Sequence, residues 1–226
     1  MRLGLQKTTL VDYPGMVAAT VFTAGCNLRC PYCHNPDLVH GPAPDEFLPY
    51  ADILAFLSRR KLVLGGVCIT GGEPLLNPWL PDLANEIHTL GLKVKLDTNG
   101  LLPDRIGPVQ ADYIALDIKT SPAKYDRVGL SEGAPLARAV DAVRHGAAEF
   151  EFRTTVVDPV VGESDIKDIV ALLRPGERYT IAAFRPGTTL DPAYRNKQSP
   201  SLETLDLYAA IARDAGLLVT VRDPGR

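Results

Sequence analysis

Residues 17–35 read VAATVFTAGCNLRCPYCHN. The first seven are small, β-branched or aromatic, a composition suited to a strand buried on both faces. The chain then runs, with no helical period, into a loop carrying three of its four cysteines. Six further β-rich runs follow, at 64–70, 92–97, 113–118, 150–157, 179–184 and 217–221. Segments with apolar residues at three- and four-residue spacing separate most of them, at 47–60, 79–90, 135–145, 165–173 and 201–215, with a shorter helix candidate at 101–109. Such repetition predicts parallel strands covered by helices, and no break in it marks a second domain, so residues 1–226 read as one.

An open, doubly wound sheet has the same periodicity. The polar residues favour a curved α/β architecture, a partial (β/α) barrel of about six parallel strands with helices outside. They gather at the C-terminal ends of successive runs: Cys26 after the first, Gly71-Gly72-Glu73-Pro74 after the second, Asp97-Thr98-Asn99-Gly100 after the third, and Asp117 with Lys119 at the fourth. Barrel active sites form at that rim. An Asp ending an apolar strand also caps a turn, which is the plainer reading of Asp97 or Asp117 taken alone.

With a net charge of -3 and a pI near 5.8, the chain has no general basic field for a nucleic-acid backbone. Its apolar runs fall short of a membrane span, and the first residues do not lead into a signal sequence, so the expected location is cytoplasmic, with neither membrane nor nucleic acid as partner. Four cysteines are too few for a secreted staple framework, and closely spaced thiols in a reducing compartment bind metal or do chemistry. Cys68, inside the apolar run GGVCIT, reads as a buried inert thiol.

The spacing Cys26-x3-Cys30-x2-Cys33 admits three chemistries. A structural zinc site needs a fourth ligand; His34 follows Cys33 too closely to turn into the same ion, leaving His40 or a remote group. A redox CxxC uses Cys30 and Cys33 but leaves Cys26 unexplained, and Pro31 and Pro36 interrupt the helix it would need. A 4Fe-4S cluster fits better: three thiolates hold three irons and one iron stays open.

Asp12-Tyr13-Pro14-Gly15, the three cysteines, CHNP, GGEP, DTNG and the Asp117-x-Lys119 pair occur in an order that resembles the radical S-adenosylmethionine superfamily. More narrowly, the chain resembles the activating proteins of glycyl-radical enzymes, above all the short kind that serves anaerobic ribonucleoside-triphosphate reductase. The resemblance covers nearly the whole chain. It implies the partial barrel of that superfamily, S-adenosylmethionine on the open iron, and a radical that takes hydrogen from a glycine of a large partner. In its light Cys26, Cys30 and Cys33 are the cluster ligands, while Gly71 and Gly72 allow close backbone approach. Glu73 accepts from the cofactor's ammonium, and Tyr32 packs near its adenine. Asn99, Asp97, Asp117 and Lys119 surround the ribose and carboxylate ends, with a monovalent cation as a further ligand. Arg153 meets either the cofactor or Asp117. A reduced flavodoxin is the implied electron donor.

Two irregular loops, 35–49 and 185–200, are expected to flank the opening, with Arg185 and Arg195 serving the partner. Two rival functions stay open. One is a radical enzyme acting on a small molecule such as a 7-deazaguanine precursor, which resembles this chain at GCNLRC and GGEP but against which CHNP speaks. The other is a non-catalytic iron-sulfur electron carrier, which would need neither GGEP nor Asp-x-Lys.

Overall fold

The computed structural model describes residues 2–41, 45–131, 134–146 and 149–223. Its sheet holds β1 (Arg2–Thr9), β2 (Ala18–Thr23), β3 (Leu48–Pro49), β4 (Gly66–Gly71), β5 (Lys93–Thr98), β6 (Tyr113–Asp117), β7 (Glu149–Val156), β8 (Arg178–Ala183) and β9 (Leu218–Arg222). They lie in the order β3-β1-β2-β4-β5-β6-β7-β8-β9. From β2 to β9 every neighbour is parallel, while β1 runs antiparallel to both β2 and β3. The outermost strands do not pair with each other among the described residues, so the barrel is partial.

Helices α1 (Pro36–Val39), α2 (Tyr50–Arg60), α3 (Leu80–Thr89), α4 (Leu136–Gly146), α5 (Glu163–Val170) and α6 (Leu202–Asp214) occupy the connections. On α3 the buried residues Leu80, Leu83, Ala84 and Ile87 fall at helical spacing, and the helix packs on β5. Burying each such Leu or Ile is worth about 1.5–3 kcal/mol. Ser201 starts α6 by accepting from the Thr204 amide at 3.1 Å. No helix is long and apolar enough to cross a membrane.

Seven strands are parallel, one for each β-rich run read from the sequence. The structure amends that reading at three places. The expected helix at 47–60 begins only at Tyr50, because Leu48 and Pro49 pair as β3 with Leu3 and Arg2. Strand β1 lacks the apolar run that marks the others: Gln6, Lys7 and Thr8 are exposed, and only Leu3 and Gly4 are fully buried before Thr9. The candidate helix at 101–109 is two single turns, Pro103–Arg105 and Gly107–Val109, which part at Ile106; Pro108, in the second turn, has no amide to carry a continuous helix.

Strand alternation sends two sets of side chains to opposite faces. Val94, Leu96, Ile114, Leu116, Phe152, Tyr179 and Ile181 join the main core. Lys95, Asp97, Asp117, Glu151, Arg153 and Thr180, offset from them by one, share the concave face. The parallel register sets Asp97 beside Ala115 and Asp117 beside Arg153. Asp97 and Arg153, 56 positions apart in sequence, thereby meet.

Candidate active site

The loop after β2 is fixed by main-chain bonds on several sides. The Gly25 amide donates to Leu38 at 2.7 Å, the Arg29 amide to Val128 at 2.7 Å, and the Cys33 amide to Cys30 at 3.0 Å. Pro31 and Cys33 carbonyls accept from the Asp191 and Leu190 amides at 2.9 and 3.0 Å. All four cysteines are free thiols. Cys26, Cys30 and Cys33 line one cavity of about 220 Å³, together with Tyr32, Gly71, Gly72, Asp97, Asn99, Asp117 and Lys119. Cys68 does not line it; its sulfur lies 3.8 Å from Lys95 Nζ inside the barrel.

Among the described residues, no three His, Cys, Asp or Glu converge as ligands of a single metal ion. His34 Nε2 lies 2.7 Å from the Arg185 carbonyl, which can only accept, so that nitrogen carries the proton and is committed away from any metal. A cubane asks something different of its thiolates, since each binds its own iron and all need only face one space. The three cysteines meet that requirement. Burial pushes the Cys30 thiol up to about 12 against the pull of Lys119, and raises Cys26 as well. Both thiols are therefore neutral near pH 7 until a cation replaces their protons.

The second wall is the turn after β4. A Cβ on Gly72 would lie 2.0 Å from the Gly25 carbonyl oxygen, and one on Gly71, at φ +115°, 2.5 Å from that of Thr23. Only glycine fits either position. Their absence of side chains lets the Gly72 amide donate to Thr23 and the Glu73 amide to Gly25, both at 2.8 Å. Glu73 itself turns away from the cavity. One carboxylate oxygen accepts from Thr98 Oγ1 at 2.7 Å and from the Leu75 amide at 3.0 Å, the other from the Asn99 amide at 2.7 Å. It is 1 % exposed, and burial pushes its carboxyl up to about 7 although all three hydrogen bonds oppose that. The side chain thus ties the GGEP turn to the end of β5.

The third wall is ionic. Arg153 Nε donates to Asp117 at 2.7 Å and its Nη2 lies 3.2 Å from Asp97; Lys119 donates to Asp117 at 3.0 Å, and Lys95 pairs with Asp97. Burial alone would raise Asp117, but Arg153 and Lys119 outweigh it and hold its carboxyl well below the ordinary range. Burial alone would lower Lys119 and Arg153, but Asp117, joined for Arg153 by Asp97, outweighs it and holds both above their ordinary values. Side-chain cations therefore already occupy the two carboxylates proposed around a monovalent cation. Tyr32 is buried under the cysteine loop, and the Lys119 amide donates to Tyr125 Oη at 3.1 Å. Asn99 Nδ2 donates to Asn27 at 2.7 Å, joining the DTNG turn to the cysteine loop.

Lys95 and Asn27 were not singled out from the sequence, and Thr98 was named there only as part of the DTNG turn. Lys95 could have been, since it precedes Asp97 by two in a strand and must share its face. Of the two flanking loops, 185–200 reaches the cysteine loop through residues 185, 190 and 191; the Arg185 and Arg195 side chains are exposed. In the loop at 35–49, residues 42–44 lie outside the described residues.

Residues 20–173 match the Radical SAM superfamily. Over 225 aligned residues the chain is 28 % identical to a Methanocaldococcus jannaschii protein provisionally named a glycyl-radical enzyme activating enzyme, covering 93 % of this chain and 90 % of that one. Two shorter matches, each about half of either chain, join other relatives. The 7-carboxy-7-deazaguanine synthase of Methanopyrus kandleri is 34 % identical over 128 residues, 47 % of this chain and 51 % of that one. The pyruvate formate-lyase-activating enzyme of Clostridium pasteurianum is 36 % identical over 122, 51 % and 50 %. Among solved structures, Streptococcus suis SuiB bound to S-adenosylmethionine superposes with a TM-score of 0.63 at 18 % identity, over 89 % of this chain and 49 % of SuiB.

Proposed function

The chain belongs to the Radical SAM superfamily, and from that membership we propose that it is a glycyl-radical enzyme activase whose target is a glycine of anaerobic ribonucleoside-triphosphate reductase. The observation that carries this reading is the single cavity faced by Cys26, Cys30, Cys33, the Gly71-Gly72 backbone and the Asp117-Lys119 pair. Three thiolates there hold a 4Fe-4S cluster, and the near full-length similarity to the M. jannaschii protein favours a protein glycine as substrate. The deazaguanine synthase match spans only about half of this chain.

When bound, the cluster and S-adenosylmethionine would supply one-electron radical chemistry able to take a hydrogen atom from the glycine α carbon. The chain's own residues place and shelter that chemistry. Gly71 and Gly72 let the main chain approach the methionine end of the cofactor. Asn99, Asp117 and Lys119 offer polar groups to its ribose and carboxylate, and Tyr32 an aromatic face beneath the cysteine loop. Glu73 acts one layer back, holding Thr98 and Asn99 where they face the cavity. Arg153 keeps Asp117 ionised and fixes its orientation. Lys119 balances the thiolates, its charge already lowering Cys30 against burial. Electrons come from a one-electron protein donor of the reduced flavodoxin class.

The test pairs two assays on the anaerobically reconstituted chain: 5'-deoxyadenosine release with dithionite, and glycyl-radical yield by electron paramagnetic resonance with an anaerobic ribonucleoside-triphosphate reductase. Both should be positive. Arg185→Ala and Arg195→Ala should lower the second at least several-fold more than the first, because these exposed side chains touch the partner rather than the cofactor. Failure to radicalise a reductase, with turnover of a deazaguanine precursor, overturns the reading.

A further inference from the structure

The cysteine loop is gripped from outside by a segment that no motif marks. Phe184, fully buried beyond the end of β8, stacks on His34 at 5.4 Å between ring centroids and meets Tyr194 edge-on. The next residue's carbonyl accepts from His34 Nε2. Five residues on, the Leu190 amide donates to the Cys33 carbonyl and the Asp191 amide to that of Pro31. Thr189, 2 % exposed, closes the turn by donating to the Asp191 carbonyl at 2.8 Å. The Asp191 side chain caps the single turn Pro192–Tyr194 by accepting from Ala193 at 2.9 Å.

We propose that residues 184–191 are a clasp that holds the 31–34 stretch, and with it Cys33, in its cluster-receiving geometry before any cluster is present. His34 and Leu190 are then positioning residues. The proposal rests on the cluster reading given above only for what the geometry serves; the clasp itself belongs to the bare chain. Its logic follows from the other two cysteines. Cys26 is buttressed by the Gly25 and Leu28 amides and by the GGEP turn, and Cys30 is almost fully buried. Cys33 is half-buried at the outer end of the loop, where Pro31 can donate no hydrogen bond of its own. The grip therefore comes from carbonyls accepting and one imidazole donating, all toward 185–191. A loop so held loses little conformational freedom when a cluster binds, and it reopens slowly when the cluster is attacked.

Two measurements decide it. In the iron-free chain, hydrogen exchange read amide by amide should show Leu190 and Asp191 protected. In His34→Ala both should exchange about tenfold faster while β4 and β5 amides keep their parental rates. His34→Phe, which retains the stacking on Phe184, should recover part of the protection. Unprotected amides in the parent, or parental exchange in His34→Ala, overturn the clasp. If His34→Ala does not fold, Leu190→Pro, which removes the donor to Cys33 and stiffens the backbone at 189–190, takes its place, read through Asp191. In the reconstituted chain, iron loss to a ferrous chelator should run about tenfold faster in these variants from equal starting iron. Release at the parental rate overturns the positioning role. A parent that takes up no four-iron cluster instead sinks the proposed function, and the exchange data still judge the clasp.

Discussion

The rim over β2 and β4 and the rim over β5, β6 and β7 face the same cavity but are built differently. The first is main chain against main chain: amides of Gly25, Gly72 and Glu73 reach carbonyls across gaps that no side chain could enter. The second is side chain against side chain, two carboxylates and three cations on neighbouring strands. Contact distances leave the first no freedom, whereas the second can exchange partners within its network. A substitution should accordingly be all-or-none on one side and graded on the other.

The largest effect is expected for Gly72→Ala, because the contact at 2.0 Å is with backbone that cannot swing aside. It should cost about 3 kcal/mol or more in urea unfolding, and a loss below about 1 kcal/mol would erase the contrast. Arg153→Met comes next, leaving Asp97 and Asp117 with one lysine each. Because these groups keep some exposure, about 2 kcal/mol is expected near pH 7 rather than the full penalty of a severed buried pair. Asp117 titrates lower folded than unfolded, so its contribution is present above the ordinary carboxylate pKa and is lost as pH falls through the folded value. The gap between parent and variant should shrink in acid, below about pH 4.

Glu73 runs the opposite way. Its carboxyl is raised from 4.5 to about 7, so the folded state binds the proton more tightly. The stability this confers is complete below pH 4.5 and lost as pH rises through about 7. Thermal midpoints of the parent should decline across that window and those of Glu73→Gln should not; parallel profiles would remove Glu73 as the cause. The smallest effect belongs to Cys68→Ala, whose sulfur lines no part of the cavity and meets the ionic rim only through a long contact with Lys95 at 3.8 Å. A stability change under about 1 kcal/mol is expected, with iron uptake unchanged, and reduced iron would make Cys68 a ligand.

The same contrast explains what could be read in advance. Cysteine spacing, GGEP and DTNG were legible because the main-chain rim leaves no latitude in residue type: glycine where a Cβ has no room, thiols where a cluster would bind. Period-two alternation placed Asp97 and Asp117 at strand ends. Arg153 could be read only as meeting either the cofactor or Asp117, and its second partner Asp97 not at all, since pairing depends on the register between β6 and β7, which a single strand's pattern does not carry. Glu73 looked like a ligand because an acidic residue beside two glycines fits one. Its carboxylate points the other way because Thr98, Asn99 and Leu75 offer three donors in a place closed to water. Strand β1 and the short β3 escaped notice since neither has a two-sided apolar run.

The Asp117 to Arg153 adjacency also bears on how the chain avoids wrong structures. Parallel strands joined by a helix have no tight turn to fix their alignment, and Phe150, Phe152 and Thr154 could slide by one against β6 at modest cost in backbone bonds. That shift would turn Glu151 and Arg153 into the helix layer, among Leu116, Val140 and Ile181, and strand Asp97 and Asp117 without their guanidinium. Competing alignments are thereby penalised more heavily than the native one is rewarded. The ion network thus disfavours a slipped pairing of β6 with β7, a consequence independent of any substrate.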